Sequence, residues 1–340
     1  MLKTILVTGG AGYIGSHTII ELQQAGYHVI AVDNYANSSE LTYHRIKTIT
    51  NKNVTQYPID LCNLDKTASI FENHPNIEGV IHFAALKSVP ESVKSPLIYY
   101  QNNINSLLNI LTCLERFNVP NFIFSSSCSV YGNVSTLPVN ESTPVAEVES
   151  PYAFTKLAGE RIIKDFMGNY PTKKAISLRY FNPVGAHISG KIGEVPTERP
   201  NNLVPIITKV AIGKSNTLQV FGDDYPTRDG TCVRDYIHVS DIADAHVKAI
   251  SLLINTSNYP NYDVFNLGSG NGVTVLEAIK NFEKIAQIKL PYVISKRRPG
   301  DVAAIYSDSK KALEILKWAP KYGIAEMMDS AWKWEKYQLL

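Results

Sequence analysis

In the stretch SPYAFTKLAGE, Ser150 to Glu160, two side chains are suited to act together. Tyr152 and Lys156 stand four residues apart, so on a helix both leave the same face, roughly 5–6 Å apart at Cβ. A phenol ordinarily keeps its proton up to about pH 10. To act as a base near neutrality its phenolate needs roughly 3 units of stabilisation, about 4 kcal/mol. A cation about 4 Å away supplies about 4 kcal/mol at an effective dielectric near 20. The lysine therefore has the right magnitude to make the tyrosine a proton acceptor. On a surface helix the same pair would be only a solvated lysine beneath an amphipathic tyrosine, so the rest of the chain must decide.

A proton acceptor of this kind suits a carbinol that loses a proton and a hydride together, and the hydride needs a carrier. TILVTGGAGYIGSH sets Gly9, Gly12 and Gly15 three apart, after an apolar run and at the start of a helical pattern. This is a relative of the dinucleotide-binding fingerprint with one extra residue between the first two glycines. Glycine permits the tight turn and the close approach of backbone to pyrophosphate, and the helix N-terminus offers that anion free N–H groups. Asp33 ends the second apolar run, 18 residues beyond Gly15, where such folds place an acid against the adenosine ribose. A carboxylate there accepts from a 2′-hydroxyl and repels a 2′-phosphate, which favours NAD over NADP.

The elements that must position these groups follow the same logic. Short β-branched runs (TILVTG at 4–9, HVIAVD at 28–33, GVIHFAA at 79–85, NFIFSSS at 121–127) alternate with helical patterns such as Gly15 to Ala25 and Pro96 to Phe117. That alternation predicts a Rossmann-type α/β fold, a doubly wound parallel sheet whose strands are buried on both faces. AISLRYFN at 175–182 predicts a further strand after the helix bearing Tyr152 and Lys156. Beyond Asn182 the texture turns to glycine, proline and asparagine, which predicts a smaller, mixed C-terminal region for the substrate. Residues 1–181 are expected to form the NAD-binding part, rejoined by parts of 234–268, and 182–340 the nucleotide-sugar-binding region.

Composition narrows the function classes. The 340 residues are 44% hydrophobic and 19% charged with a formal net charge of +2, so no global attraction to nucleic acid or acidic membranes is expected. The apolar run at the start is too short for a signal peptide, and no stretch of about 18 apolar residues is present. The four cysteines (62, 113, 128, 232) and eight histidines are scattered without metal-ligand spacing, so no metal is expected and a reducing cytoplasm fits. His82 and His238, flanked by apolar residues in strand-like runs, read as structural.

GGAGYIG, SSSCSVYG and SPYAFTK together resemble the extended short-chain dehydrogenase/reductase family. The resemblance implies that Tyr152 is the base, that Lys156 tunes it and reaches the nicotinamide ribose, and that an upstream serine bonds the reacting oxygen. Spacing does not choose among Ser125, Ser126 and Ser127; the family's motif, set against the following VYG, assigns Ser127. Tyr13, Ile14, Asp33, Asn34, Asp60, Leu61, Lys87 and Asn102 match cofactor-contacting positions of the family, together with the three glycines, Asn37, Ser38, Phe83, Ala84, Ala85 and Phe181.

A finer resemblance, to the family's UDP-hexose 4-epimerases, runs through VIHFAALKSVPESV, RYFNPVGAH, NNLVP, VFGDDYPTRDGT and VRDYIHV. It implies NAD-dependent interconversion of UDP-glucose and UDP-galactose through a transient 4-keto sugar that turns over in the pocket. A sugar that must turn cannot be gripped by its hydroxyls, so affinity should come from the nucleotide diphosphate, for which guanidinium groups are suited. Asn182, Asn202, Leu203, Gln219, Val220, Phe221, Arg234, Tyr236, Arg298 and Asp301 match substrate positions, as do Ser127 and, shared with the cofactor, Lys87 and Tyr152. A nucleotide-sugar dehydratase needs an acid and a base after the serine, where this chain has Cys128 and Ser129; a decarboxylase of the family needs a glutamate there. A non-catalytic NAD sensor would have no use for both Tyr152 and Lys156. Ile305 stands where relatives carry either a tyrosine or a small residue that admits N-acetylated sugars, so UDP-N-acetylhexosamines remain an alternative. The resemblance also implies a homodimer, to which the helical stretch 96–117 could contribute.

Overall fold

The computed structural model describes residues 2–145, 147–195, 202–298 and 301–340. Parts of the irregular stretch after Asn182 and of RRPGDVAA lie outside them. In the first half, strands β1 (Thr4–Thr8), β2 (His28–Val32), β3 (Thr55–Tyr57), β4 (Ile77–His82), β5 (Asn121–Ser127) and β6 (Lys174–Tyr180) alternate with helices. The helices are α1 (Tyr13–Gln24), α2 (Leu41–Thr50), α3 (Leu64–Asn73), α4 (Val89–Lys94), α5 (Pro96–Arg116) and α6 (Pro151–Asn169). The second half holds β7 (Asn182–Val184), α7 (Leu203–Ala211), β8 (Leu218–Phe221), β9 (Val233–His238), α8 (Val239–Asn255) and β10 (Tyr262–Leu267). It ends with β11 (Gly272–Thr274), α9 (Val275–Ala286), β12 (Tyr292–Ser295), β13 (Ala304–Ile305) and α10 (Ile324–Tyr337).

Seven strands form one parallel sheet in the order β10-β6-β5-β4-β1-β2-β3. Because side chains alternate along a strand, Ile5, Val7, Ile81, Ile123 and Ile176 face one way, against α1, α2 and α8. Leu6, Ile30, Val80, Phe122 and Phe124 face the other way, against α3, α5 and α6. Two apolar faces explain the unbroken apolar runs. The chain winds outward from β1 in both directions, so β1 and β4 flank the point where the order reverses. The crevice beyond their carboxyl ends is where such sheets bind ligands.

Several elements differ from the sequence-based expectation. Helix α1 starts at Tyr13 rather than Gly15, because extended Gly12 serves as its N-cap (φ −73°, ψ 173°). β4 ends at His82 and not at residue 85. Phe83 to Ala85 leave the strand, and the Ala84 N–H donates to the Thr8 hydroxyl at 3.2 Å. The run expected as one strand at 175–182 divides at Phe181: β6 stays in the large sheet while β7 pairs with β9. Strand β9 accordingly lies in a separate four-stranded sheet with β7, β11 and β13, whereas the helix that follows it, α8, packs on the large sheet's face. A third core, with Ile207, Val220, Phe282 and Met328, joins α7, α9, α10 and β8.

Candidate functional site

The phosphate loop is shaped by what a side chain would hit. Gly9 has φ +65°, and a Cβ there would lie 2.8 Å from the Ala84 nitrogen; one on Gly15 would lie 2.3 Å from the Gly9 carbonyl oxygen. The first turn of α1 has no side-chain cap, so its N–H groups remain available to an anion. Asp33 braces this loop. Its Oδ2 accepts from the Ala11 N–H at 3.0 Å, and its Oδ1 accepts from the Tyr35 N–H at 2.9 Å and the Ser38 hydroxyl at 2.8 Å. A carboxylate has about four acceptor sites, so roughly one remains for a ribose. Asn34 closes a small turn onto the Ala36 N–H, and Asp60 does the same for the Cys62 N–H. Ile14 and Leu61 pack inward, and the exposed Asn37 follows on the same turn as Asp33.

Helix α6 begins cleanly: Ser150 accepts from the Ala153 N–H at 3.2 Å, and Pro151 fills the first helical position, as its locked φ and missing donor favour. This sets Tyr152 and Lys156 on the face toward β5. The Ser127 hydroxyl is near enough to the Tyr152 phenol to ease its ionisation and accepts from the Ser129 N–H at 3.2 Å. Lys156 is 4% exposed; its Nζ donates to the Ser125 carbonyl at 2.7 Å and lies 5.9 Å from the Tyr152 ring centre. The three expected catalytic residues are thus brought together. Their protonation in the protein by itself differs from the sequence-based expectation that the lysine, aided by the cofactor's charge, lowers the phenol. Burial pushes Tyr152 up to about 12, with the nearby Ser127 hydroxyl only partly offsetting it, and burial pulls Lys156 down to about 8. The ammonium is spent on a carbonyl, and desolvation wins.

The residues expected to meet the nucleotide sugar include a second connected set. Arg234 on β9 donates to the Val302 carbonyl at 2.8 Å and to Asp301 at 3.3 Å. Arg298 donates to both Asp301 oxygens at 3.1 Å and stands 5.4 Å from the Phe221 ring centre. One carboxylate therefore holds two guanidinium groups. Tyr236 is buried beside them, and Asn182 pairs with it across β7 and β9. Val220 points into the third core, fully buried, so only its backbone can meet a ligand, while Gln219 faces outward. Leu203 opens α7 after Asn202. Lys87 reaches Glu194 at 2.8 Å, Asn102 donates to Asn103, and Phe181 lies buried next to Ile305.

Sequence reasoning missed the residues that hold this set in place. Glu160, one turn after Lys156, forms a buried two-point ion pair with Arg179, at 2.8 and 2.5 Å, and accepts from Ser126. Arg179 also donates to the Tyr131 hydroxyl. Asn103 fastens Leu86 to Thr155 on α6. Asp235 accepts from Ser269, Gly270 and Ser307, tying β9 to the end of β10. The available signal was charge inside an apolar strand run, Arg179 in AISLRYFN and the adjacent Arg234 and Asp235 in VRDYIHV. Among the described residues no group of histidine, cysteine and carboxylate side chains is arranged to hold a metal, and no helix is long and apolar enough to cross a membrane.

Fold and site together define a Rossmann-type protein carrying the serine, tyrosine and lysine of the short-chain dehydrogenase/reductases. A family model described as GDP-mannose 4,6 dehydratase matches residues 6–331. The UDP-glucose 4-epimerase of Bacillus subtilis is 47% identical over 331 residues, covering 97% of this chain and 96% of that protein. Among solved structures, the Bifidobacterium longum UDP-glucose 4-epimerase in complex with NAD+ and UDP is 47% identical with a TM-score of 0.93, covering 98% of both chains. The Stenotrophomonas maltophila UDP-glucose-4-epimerase, with bound NAD and formylated UDP-arabinopyranose, is 42% identical with a TM-score of 0.96, covering 99% of both. The chain belongs to the UDP-glucose 4-epimerase family, a branch of the broader dehydratase and epimerase group.

Proposed function

We propose that this protein interconverts UDP-glucose and UDP-galactose with NAD as a retained cofactor, through a 4-keto sugar. The observation that carries this reading is the Ser127–Tyr152–Lys156 set at the carboxyl end of β5, in the same parallel sheet whose β1 leads into a glycine loop with no room for a Cβ at Gly9 or Gly15. When bound, NAD supplies a reversible hydrogen acceptor for C4 of the sugar and, in its oxidised form, a positive charge that favours a nearby phenolate. The loop glycines and the start of α1 hold its pyrophosphate, and Asp33 the adenosine ribose. Tyr152 takes the proton from the C4 hydroxyl and returns it after the sugar has turned, while Ser127 orients that oxygen. With the protein's own groups holding the phenol at about 12, roughly 5 units above neutrality or about 7 kcal/mol, Tyr152 becomes a base only within the complex. Arg234 and Arg298, held by Asp301, bind the diphosphate.

Dehydration, which the family model's description brings to mind, lacks its groups here. Ser129 carries no carboxyl, and burial pushes the Cys128 thiol up to about 12, so neither offers an acid or base near neutrality. We assign the cofactor to residues 1–181 with the return at 234–268, supported by α8 and β10 joining the large sheet, and the UDP-sugar to the remainder of 182–340. A homodimer through α5 and α6 is supported by Leu97, Ile98, Leu108 and Phe154, large apolar side chains exposed on those helices. The scattered cysteines, all free, and the cofactor favour the cytoplasm.

Purified protein incubated with UDP-galactose and no added NAD is expected to form UDP-glucose. Absence of turnover even with NAD supplied would overturn the reading. Tyr152→Phe is expected to lower kcat by at least about 10²-fold, the usual scale of general acid–base catalysis, while NAD content and UDP binding stay at wild-type levels.

A further inference from the structure

Glu194 belongs to none of the motifs read from the sequence, yet it stands where the two halves of the site meet. Its backbone is fixed. The carbonyl accepts from the Trp334 indole N–H at 2.8 Å, and the preceding Gly193 lies so close to that ring that a Cβ there would fall 2.5 Å from its Cδ1. Its side chain is only 14% exposed. Oε1 accepts from Lys87 Nζ at 2.8 Å and from Asn202 Nδ2 at 3.3 Å. Lys87 follows β4 and sits 6.0 Å from the ring centre of Tyr13, at the start of α1; Asn202 precedes α7 in the other half. Two donors read above as ligand contacts thus converge on one carboxylate oxygen from opposite sides.

An ion pair whose lysine is 64% exposed adds little to stability. Its effect is to select one rotamer for a long side chain that otherwise samples many. Asn202 shows the same diversion. An asparagine before a helix ordinarily accepts with its Oδ1 from a backbone N–H in the first turn, but here it makes no such bond while its Nδ2 donates to Glu194. We propose that Glu194 is a positioning residue that aims Lys87 and Asn202 at the substrate's nucleotide diphosphate and thereby sets its affinity. The inference rests on the UDP-sugar reading above.

The test uses holoenzyme carrying its NAD, with UDP binding measured by calorimetry and UDP-galactose turnover measured in parallel. Glu194→Gln keeps the shape and removes the charge. It is expected to raise the UDP Kd and the KM by roughly five- to tenfold, the scale of one ordinary hydrogen bond, with kcat within about twofold and NAD content unchanged. Placed in a Lys87→Met/Asn202→Ala background, the same substitution should leave the UDP Kd unaltered, because its route is gone. Glu194→Asp, which keeps the charge but shortens the reach, should weaken UDP as Gln does and serves if the Gln variant fails to fold. An unchanged UDP Kd in both single variants, or an undiminished effect in the double-variant background, overturns the proposal. Wild type that binds UDP without turning over UDP-galactose overturns the reaction reading alone, the binding measurements on Glu194 still deciding this one. Wild type that fails to bind UDP overturns both.

Discussion

Replacing Lys156 by methionine should stabilise the fold at pH 7 while abolishing its use. The ammonium is 4% exposed and burial alone holds it down to about 8, against 10.5 in water. That shift of about 2.5 units corresponds to about 3 kcal/mol at 1.36 kcal/mol per unit. Methionine preserves the stem and removes the charge, but gives up the bond to the Ser125 carbonyl, which costs about 1–2 kcal/mol. The net gain at pH 7 is then about 1–2 kcal/mol. Its pH dependence is the sharper test. Below pH 8 the lysine is charged in both folded and unfolded chains, and the fold carries the whole penalty. Between 8 and 10.5 the folded protein has released a proton that the unfolded chain still binds, so wild-type stability rises with pH relative to the variant. Urea unfolding followed by circular dichroism at pH 7, 8, 9 and 10 reads this directly; guanidinium is unsuitable because its salt screens charge. The variant's advantage should shrink steadily above pH 8 while its kcat is lower by at least about 10²-fold. A wild-type to variant difference that stays constant from pH 7 to pH 10 would refute the assignment of a depressed, buried ammonium.

Other substitutions probe separate parts of the site. Arg179→Met strands the Glu160 carboxylate, both partners being 7% exposed, and should cost about 3–5 kcal/mol in urea unfolding; a loss under 1 kcal/mol would show that water relieves the charge. Gly9→Ala forces a side chain into a φ of +65° and against Ala84. Purified variant should carry markedly less NAD, measured by releasing and assaying the nucleotide, at a backbone cost of roughly 1–2 kcal/mol. Ile305 is buried in one apolar cluster with Phe181 and Val130, and the proposed reading puts the sugar beside it. Ile305→Ser should raise turnover of UDP-N-acetylglucosamine relative to UDP-glucose, and no such turnover in either protein would remove the N-acetylated alternative.

The glycine loop was legible because its requirement is local. A positive φ and contacts too close for a Cβ can be met by only one residue type, so the constraint is written in the residue itself. The same holds for α6: the four-residue spacing of Tyr152 and Lys156 predicted both side chains on one helix face, and in the structure Ser150 and Pro151 start that helix. The buried strands were legible as unbroken apolar runs, but their ends were not. Phe83 to Ala85 continue an apolar run while leaving the sheet, and Phe181 directly follows β6 yet leaves it too, since a strand stops where its partner stops and partners are distant in sequence. The short β3, three residues on the sheet's edge, offered too little pattern to notice.

The sequence by itself determined which chemical groups are available and, through spacing and backbone preference, the local geometry of loop, helix and strand. Only the tertiary structure decided what those groups become. Burial sets Tyr152 at about 12 and Lys156 at about 8, the reverse of what a bare pair in water suggests. The fold also brings Glu194 to Lys87 across 107 residues and Glu160 to Arg179 across 19. Protonation and pairing depend on dielectric and on neighbours in space, and in a parallel sheet those neighbours arrive through long crossovers that no local string encodes.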